Sequence, residues 1–427
     1  MFEIPNFKFQ IISMLRTIKE YLALDRTFHN LVIVELFVQI INVTFITVLP
    51  LYMKAEGFSD AQYAHFTSYR YLGMLALALF LGMYIKGRKI LPMFYIAAIG
   101  VPFFALLILI GVHIHSTSLL LISHLLWGTT YTFIQIPILP YIIRNAPKHQ
   151  QTLAITLNFA TWSIASIAGS LVVAVFNGIN KTIFSEQNLL FAISALGFIG
   201  VYFVMKITKK EHVPVITEKR SDLREYDWKI IIRALIPTTI IAIGAGFTIP
   251  FMSLFFSNVH NMSTSTFSYL NFSTAVLVTI VAMYVPKIKN RWGYQKAVSR
   301  TQLMAIGCLI IMATTQYYNT FSFSVLIASL FYLLRQPLMS TAVPMTSEIT
   351  MKYVGERNRE MVSGLTSAIW SGSAYFSAIG FGILRHLDVA YVNIFWITAG
   401  MYLLGVLWYT LLIVDYNKKE MAGLIVH

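Results

Sequence analysis

KITKKEHVPVITEKRSDLREYDWK, residues 206–229, is the longest polar stretch in a chain of 427 residues that is 57% hydrophobic and only 12% charged. On both sides of it the sequence is built from apolar segments. A helix needs about 20 such residues to cross a bilayer. Reading outward from the polar stretch gives six segments before it, near 29–53, 61–86, 90–112, 117–143, 151–177 and 187–207. Six more follow, near 230–256, 265–286, 295–316, 321–349, 360–384 and 388–415. A soluble domain carries roughly 25% charged residues, so this chain must use lipid as part of its solvent. The pattern predicts an all-α integral membrane protein of twelve transmembrane helices in two pseudo-symmetric six-helix bundles. The division is a cytoplasmic amphipathic N-terminal segment over 1–28, a first bundle over 29–207, a cytoplasmic linker over 208–229, a second bundle over 230–416 and a cytoplasmic tail over 417–427.

The net charge of +14 would raise nucleic acid as a partner in a soluble protein. Here the basic residues alternate with apolar spans, so they act as orientation signals and nucleic acid is excluded. The loops at 86–89, 144–148, 206–229, 287–300 and 352–359, with both tails, hold nearly all of them. The opposite loops hold only Lys54, Lys181 and Arg385. The positive-inside rule then places both termini in the cytoplasm, with the protein in the plasma (inner) membrane. The single cysteine, Cys308, rules out an intrachain disulfide and a cysteine-based metal site. No metal or other cofactor is indicated.

The two halves repeat. Pro50 and Pro250 close the first and seventh spans, Met83-Tyr84 recurs as Met283-Tyr284, Pro137 matches Pro344, and Trp162-Ser163 matches Trp370-Ser371. The offset drifts slowly from 200 to 208 residues, as small loop insertions would make it. Parallel repeats of this kind place a substrate site between them near the bilayer midplane.

With twelve spans, a 6+6 repeat and a central polar loop, nearly the whole chain resembles the major facilitator superfamily. That family carries a signature of the form G-x-x-x-D-R-x-G-R-K after its second and eighth spans. The second copy here reads from Pro286 to Lys296 and keeps Arg291, Gly293 and Lys296, with Asn290 where the acid would stand. The first copy keeps Gly82, Gly87, Arg88 and Lys89 but lacks the Asp-Arg pair. The resemblance implies that Gly82, Gly87, Arg88, Lys89, Asn290, Arg291 and Gly293 form a conformational latch; ordinary positive-inside residues are the plainer account. The fifth span holds small residues from Ser163 to Ser170 and no proline, unlike the family's antiporters, which weakens an exporter reading.

A charge inside a span costs at least about 2.5–3.5 kcal/mol on insertion scales, so such residues are paired or used. Glu35 lies in the first span with Gln39 and Asn42 on the same helix face. Arg70 lies in the second span, about 9 Å from Glu35 in depth if both helices stand upright, so pairing with Glu35 competes with substrate binding. Arg335 lies near the middle of the tenth span beside Gln336 and Tyr332. Arginine keeps its charge and offers five donors in a fixed fork, which suits a carboxylate, phosphate or sulfonate. Glu348 is about 20 Å further along the same helix, too far to pair with it. A structural pair of Arg335 with Glu35 is the alternative. Tyr131 and Gln135 share a face of the fourth span with His124. Asn158 and Trp162 share one in the fifth, Asn271 lies in the eighth, and Trp370 in the eleventh. These residues are candidates for substrate binding, with helix packing as the competing role for each tryptophan. Glu35 is the candidate for proton coupling.

No His-Glu-x-x-His, no Gly-x-Ser-x-Gly and no paired membrane acids occur, so an enzyme is disfavoured, and nothing resembles a channel's selectivity filter. The sequence points to a secondary active transporter, monomeric, with a small-molecule substrate, protons and membrane lipid as partners. It would move a small organic anion or zwitterion by rocker-switch alternating access. A proton-driven drug or metabolite exporter and a receptor or scaffold on a transporter fold are the alternatives.

Overall fold

The computed structural model describes residues 24–85, 87–207, 211–213 and 226–421, which are helical with no strand among them. Most of the amphipathic segment assigned to 1–28, most of the linker, and residues 422–427 of the tail lie outside the described residues. Fifteen α-helices follow in order. They are α1 (Arg26–Ala55), α2 (Asp60–Tyr84), α3 (Leu91–His113), α4 (Thr117–Gln135), α5 (Ile138–Asn145), α6 (Lys148–Ile179), α7 (Glu186–Gly197) and α8 (Ile199–Met205). After the linker come α9 (Trp228–Thr248), α10 (Met252–His260), α11 (Thr264–Ala282), α12 (Val285–Thr314), α13 (Phe323–Val354), α14 (Arg359–His386) and α15 (Tyr391–Met421).

Local chemistry sets the helix starts. Ser59, Ser116, Ser185 and Ser263 cap α2, α4, α7 and α11, each accepting a backbone N–H of the first turn. Ser59 and Gln62 form a reciprocal capping box. Asp25 and Asp227 do the same for α1 and α9 at the other end of the molecule. Proline breaks the fourth span between α4 and α5 at Pro137, and the seventh between α9 and α10 at a 3-10 turn over Ile249–Phe251. Pro50 behaves differently from Pro250, because α1 continues through it to Ala55. Pro344 likewise sits inside an unbroken α13. The repeated prolines therefore mark equivalent positions without imposing equivalent breaks.

Eleven helical stretches are long and apolar enough to cross a membrane. The exception is α2, whose first half carries Asp60, Gln62, His65, Thr67, Ser68 and Arg70. Of these, Thr67, Ser68 and Arg70 are buried against protein, whereas Gln62 and His65 are exposed. The two sequence halves pack on each other through two major contacts, α2 along α14 and α6 along α11. Counted in spans these are 2 with 11 and 5 with 8, and each becomes the other when the halves are exchanged.

Most of the hydrogen bonds joining the halves gather at the end away from the basic loops; Asn271 to Ser170, deeper in α11 and α6, is an exception. Lys54 Nζ donates to Ser257 Oγ (2.9 Å), and Thr264 Oγ1 donates to Glu186 Oε1 (2.6 Å). Asp60 accepts from Arg385 (3.1 Å), from the Tyr391 hydroxyl (2.6 Å) and from Asn258 Nδ2 (3.1 Å).

Candidate functional site

Two buried arginines organise the polar interior. In the first half, α2 and α4 approach backbone to backbone, because Gly73 lies against the Leu125 carbonyl and Gly128 against the Arg70 carbonyl. A Cβ at either glycine would collide with that backbone. This contact sets Arg70 over the Trp127 ring, 4.2 Å from its centroid, a cation–π arrangement. Arg70 Nη2 also donates to Asn42 Oδ1. Asn42 Nδ2 donates to Gln39 Oε1 (3.2 Å) and to the Tyr131 hydroxyl (3.3 Å), and that hydroxyl donates to Gln39 Oε1 (3.1 Å). Gln39 Nε2 reaches Glu35 Oε1 only at 3.5 Å, and Glu35 Oε2 is buried without a partner. Glu35, Gln39, Asn42, Tyr131 and Arg70 thus form one buried chain across α1, α2 and α4.

In the second half, Arg335 is 1% exposed on α13. Its Nη1 donates to Gln336 Oε1 (3.2 Å) and its Nη2 to the Tyr402 hydroxyl (3.3 Å). Gly244 gives Tyr402 its place, since a Cβ there would press on the tyrosine ring. Arg335 Nε has no partner. Arg335 lines a cavity of about 200 Å³ that runs along α13 to Met351, toward the basic end of the molecule. Gln302, Gln336, Ser340, Trp370 and Tyr402 share the lining. No carboxylate lines it. All of its lining residues lie after the linker, whereas the repeat argument places the site between the halves.

Among the described residues, neither Arg70 nor Arg335 forms an ion pair with Glu35 or any other acid. Of the other candidates, Trp370 reaches the cavity at 42% exposure, and Trp162 is exposed to a similar degree, 48%, outside it. Gln135 is exposed, and Asn158 is buried with Oδ1 unpartnered. Tyr332 and Asn271 lie outside the cavity. The Tyr332 hydroxyl donates to Asn271 Oδ1 (3.3 Å), and Asn271 Nδ2 donates to Ser170 Oγ (2.8 Å), which ties α13 and α11 to α6.

The two signature loops turn on glycine. Gly87 has φ +64°, and Gly293 has φ +68° and interrupts α12. Both values lie where residues with a Cβ are strained. Arg88 stacks on Tyr84 at 4.1 Å, and Arg144 donates to the Arg88 and Ile85 carbonyls. Gly82, Lys89, Asn290 and Arg291 are exposed. The ion pair of the second loop uses Lys289, whose Nζ lies 2.7 Å from Glu348 Oε2 on α13, with Lys352 Nζ 3.1 Å from the other oxygen. Sequence reasoning missed this pair, although the spacing of Glu348 and Lys352 at i and i+4 was visible.

Comparison with solved structures finds the same fold at low sequence identity. A D-xylose–proton symporter matches with a TM-score of 0.71 at 14% identity, over 90% of this chain and 95% of that one. The nucleoside transporter NupG matches at 0.71 and 14%, over 91% and 99%. A bacterial homologue of the iron transporter ferroportin, 12% identical, matches at 0.69 in its inward-facing state, over 92% and 98%. Its outward-facing state matches at 0.63, over 92% and 100%. Comparison with curated proteins finds no sequence match. The sequence profile of the Major Facilitator Superfamily matches residues 31–378. The chain is therefore a member of the Major Facilitator Superfamily, an integral membrane transporter.

Proposed function

We propose that the protein is a proton-coupled secondary transporter for a small organic solute bearing an anionic group. The observation that carries this reading is Arg335: a buried guanidinium with a free Nε, facing a cavity without a carboxylate. A buried charge left without a counter-ion is costly. A visiting anion supplies that counter-ion and leaves with it, which is what a transport site needs. A site for lipophilic cations would need an acid in the lining, and Glu35 is not there.

In this reading α2, the second in order, also crosses the membrane and brings the spans to twelve, the helices form two bundles meeting along α2–α14 and α6–α11, and the basic loops lie in the cytoplasm. The lock at Asp60 then closes the outer side, while the cavity reaches the inner side. The better match of the inward-facing ferroportin homologue supports this assignment. Alternating access follows from rocking one bundle against the other, breaking the Asp60 contacts as the inner side closes. Glu35, with one oxygen unpartnered, takes up and releases the coupling proton, and Gln39, Asn42 and Tyr131 relay its state to Arg70.

The test is thermal stability of the purified protein against anionic, zwitterionic and cationic metabolites. Ligands that bind the folded state raise its melting temperature. Anions raise it in wild type and not in Arg335→Ala. A shift given by lipophilic cations and kept in Arg335→Ala sinks the reading. In proteoliposomes, Glu35→Gln abolishes pH-driven accumulation while leaving substrate exchange; accumulation that survives the substitution removes Glu35 from the coupling.

A further inference from the structure

Donors and acceptors are unevenly distributed around the cavity. The charged donor and the amide lie at its deep end, while the Ser340 and Ser347 hydroxyls, able to donate or accept, lie further along α13. Arg335 offers its free Nε, and Gln336, whose Oε1 is already engaged by Arg335, has its amide N–H groups left to give. Acceptors spread along the rest. Thr346 spends its hydroxyl proton on the Ala342 and Val343 carbonyls, Thr350 on the Thr346 carbonyl, and Thr366 on the Val362 carbonyl. A hydroxyl has one proton and two lone pairs, so all three oxygens are left as acceptors; Thr346 and Thr350 share the Tyr409 hydroxyl, and Thr366 keeps its lone pairs for the cavity. Gln302 adds another: it is buried, and its Oε1 has no partner.

A ligand that fills such a space has one oxyanion and several O–H or N–H donors. Leaving a buried acceptor unmatched costs more than a typical hydrogen bond gains, so the donors decide affinity. The charge balance narrows the class. Arg335 is the single charged residue of the lining, so the fit is to a net monoanion; a phosphate dianion lacks a second cation and an ammonium group lacks a carboxylate. The volume of about 200 Å³ is below the usual range of about 300–1,000 Å³ for drug-sized ligands. Trp370, Met339 and Ile241 supply apolar wall for a short carbon skeleton.

We infer that the substrate is a small polyhydroxylated monocarboxylate, with its carboxylate on Arg335 and a hydroxyl donating to Gln302. This rests on the anion reading given above and narrows it.

Binding of four matched probes to the full-length protein by calorimetry tests it. Gluconate has the charge and the hydroxyls, hexanoate only the charge, glucose only the hydroxyls, and 2-amino-2-deoxygluconate adds an ammonium. Gluconate binds at least tenfold tighter than each of the other three. In Gln302→Leu its advantage over hexanoate shrinks by about tenfold. The wild-type ranking stands as a test even if that variant does not fold. Hexanoate binding as tightly as gluconate overturns the inference and leaves the anion reading intact. Tighter binding of the amino compound overturns the monoanion assignment alone. Glucose binding as tightly as gluconate, or no binding by any probe, overturns the inference, and the former takes the anion reading down with it.

Discussion

Arg70 and Arg335 are the same residue under nearly the same burial, 4% and 1% exposed, and neither has an acid for a partner among the described residues. The difference is the space beside them. Arg70 lies on the Trp127 face, holds Asn42, and borders a void of about 10 Å³, room for about one water molecule. Arg335 has two longer bonds to neutral oxygens and opens on about 200 Å³. A buried cation inside a membrane protein is therefore not by itself a substrate site. Both leave Nε without a partner, so what separates them is room: one is closed into the packing of its own half, and the other borders a cavity. The proposed reading therefore gives Arg70 a structural or relay role and Arg335 the ligand.

The largest expected effect attacks the packing that positions Arg70. Gly128→Leu drives a side chain into the Arg70 backbone and, with no room to relax between two helices, costs more than about 4 kcal/mol. Thermal unfolding in detergent shows no cooperative transition, or one far below wild type; a melting temperature within a few degrees of wild type breaks the packing account. Arg70→Ala comes next. It empties the space over Trp127 and leaves the buried Asn42 Oδ1 without a partner, a loss of about 3 kcal/mol. Arg335→Ala, by contrast, removes the partner of Gln336 Oε1 and of the Tyr402 hydroxyl beside a cavity with room for water to replace it, and costs about 1 kcal/mol. Its effect is on the ligand, whose affinity falls at least tenfold. If the two alanine variants lose equal stability, the distinction drawn between the two arginines is void.

The sequence already carried the frame of this comparison. Hydropathy placed eleven stretches that are long and apolar enough to cross a membrane, most ends to within a few residues, because apolar length is a property of local sequence; the ninth starts ten residues earlier, at Val285. Charge inside those stretches singled out Glu35, Arg70 and Arg335 for the same reason. What it did not carry was partnership. The depth argument made Glu35–Arg70 a reasonable pair, but the guanidinium turns to Asn42 and Trp127 because Gly73 and Gly128 bring α2 onto α4. Tyr402, which holds Arg335, drew no attention, since a tyrosine in an apolar span has no pattern of its own. The placement of the cavity within one half depends on how helices far apart in sequence lean on each other. No periodicity along a single helix records that. Tyr332 shows the same limit: it lies one turn from Arg335 in sequence, yet it bonds to Asn271 at the contact between the halves.

The smallest expected effect sharpens the contrast by changing access and leaving both arginines untouched. Asp60 gathers Arg385, Tyr391 and Asn258 at the end away from the basic loops. Asp60→Asn keeps the shape and removes the charge, which weakens the pair with Arg385 by about 1 kcal/mol, or about fivefold in the balance between closed and open at that end. A cysteine placed in the cavity, Ser340→Cys in a Cys308→Ser background, reports the change through its reaction with a membrane-impermeant thiol reagent applied from the Asp60 side. The rate rises about fivefold when Asp60→Asn is added. A second reporter, Thr67→Cys, lines the small void beside Arg70 and stays unreactive with or without Asp60→Asn. Equal acceleration at both positions means that the first half loosens as a whole and that Arg70 is no better packed than Arg335. No acceleration at Ser340→Cys means that the Asp60 contacts do not hold that end shut, and the closure must then come from the apolar packing of Phe251 on Phe381, whose rings stack 3.6 Å apart behind them.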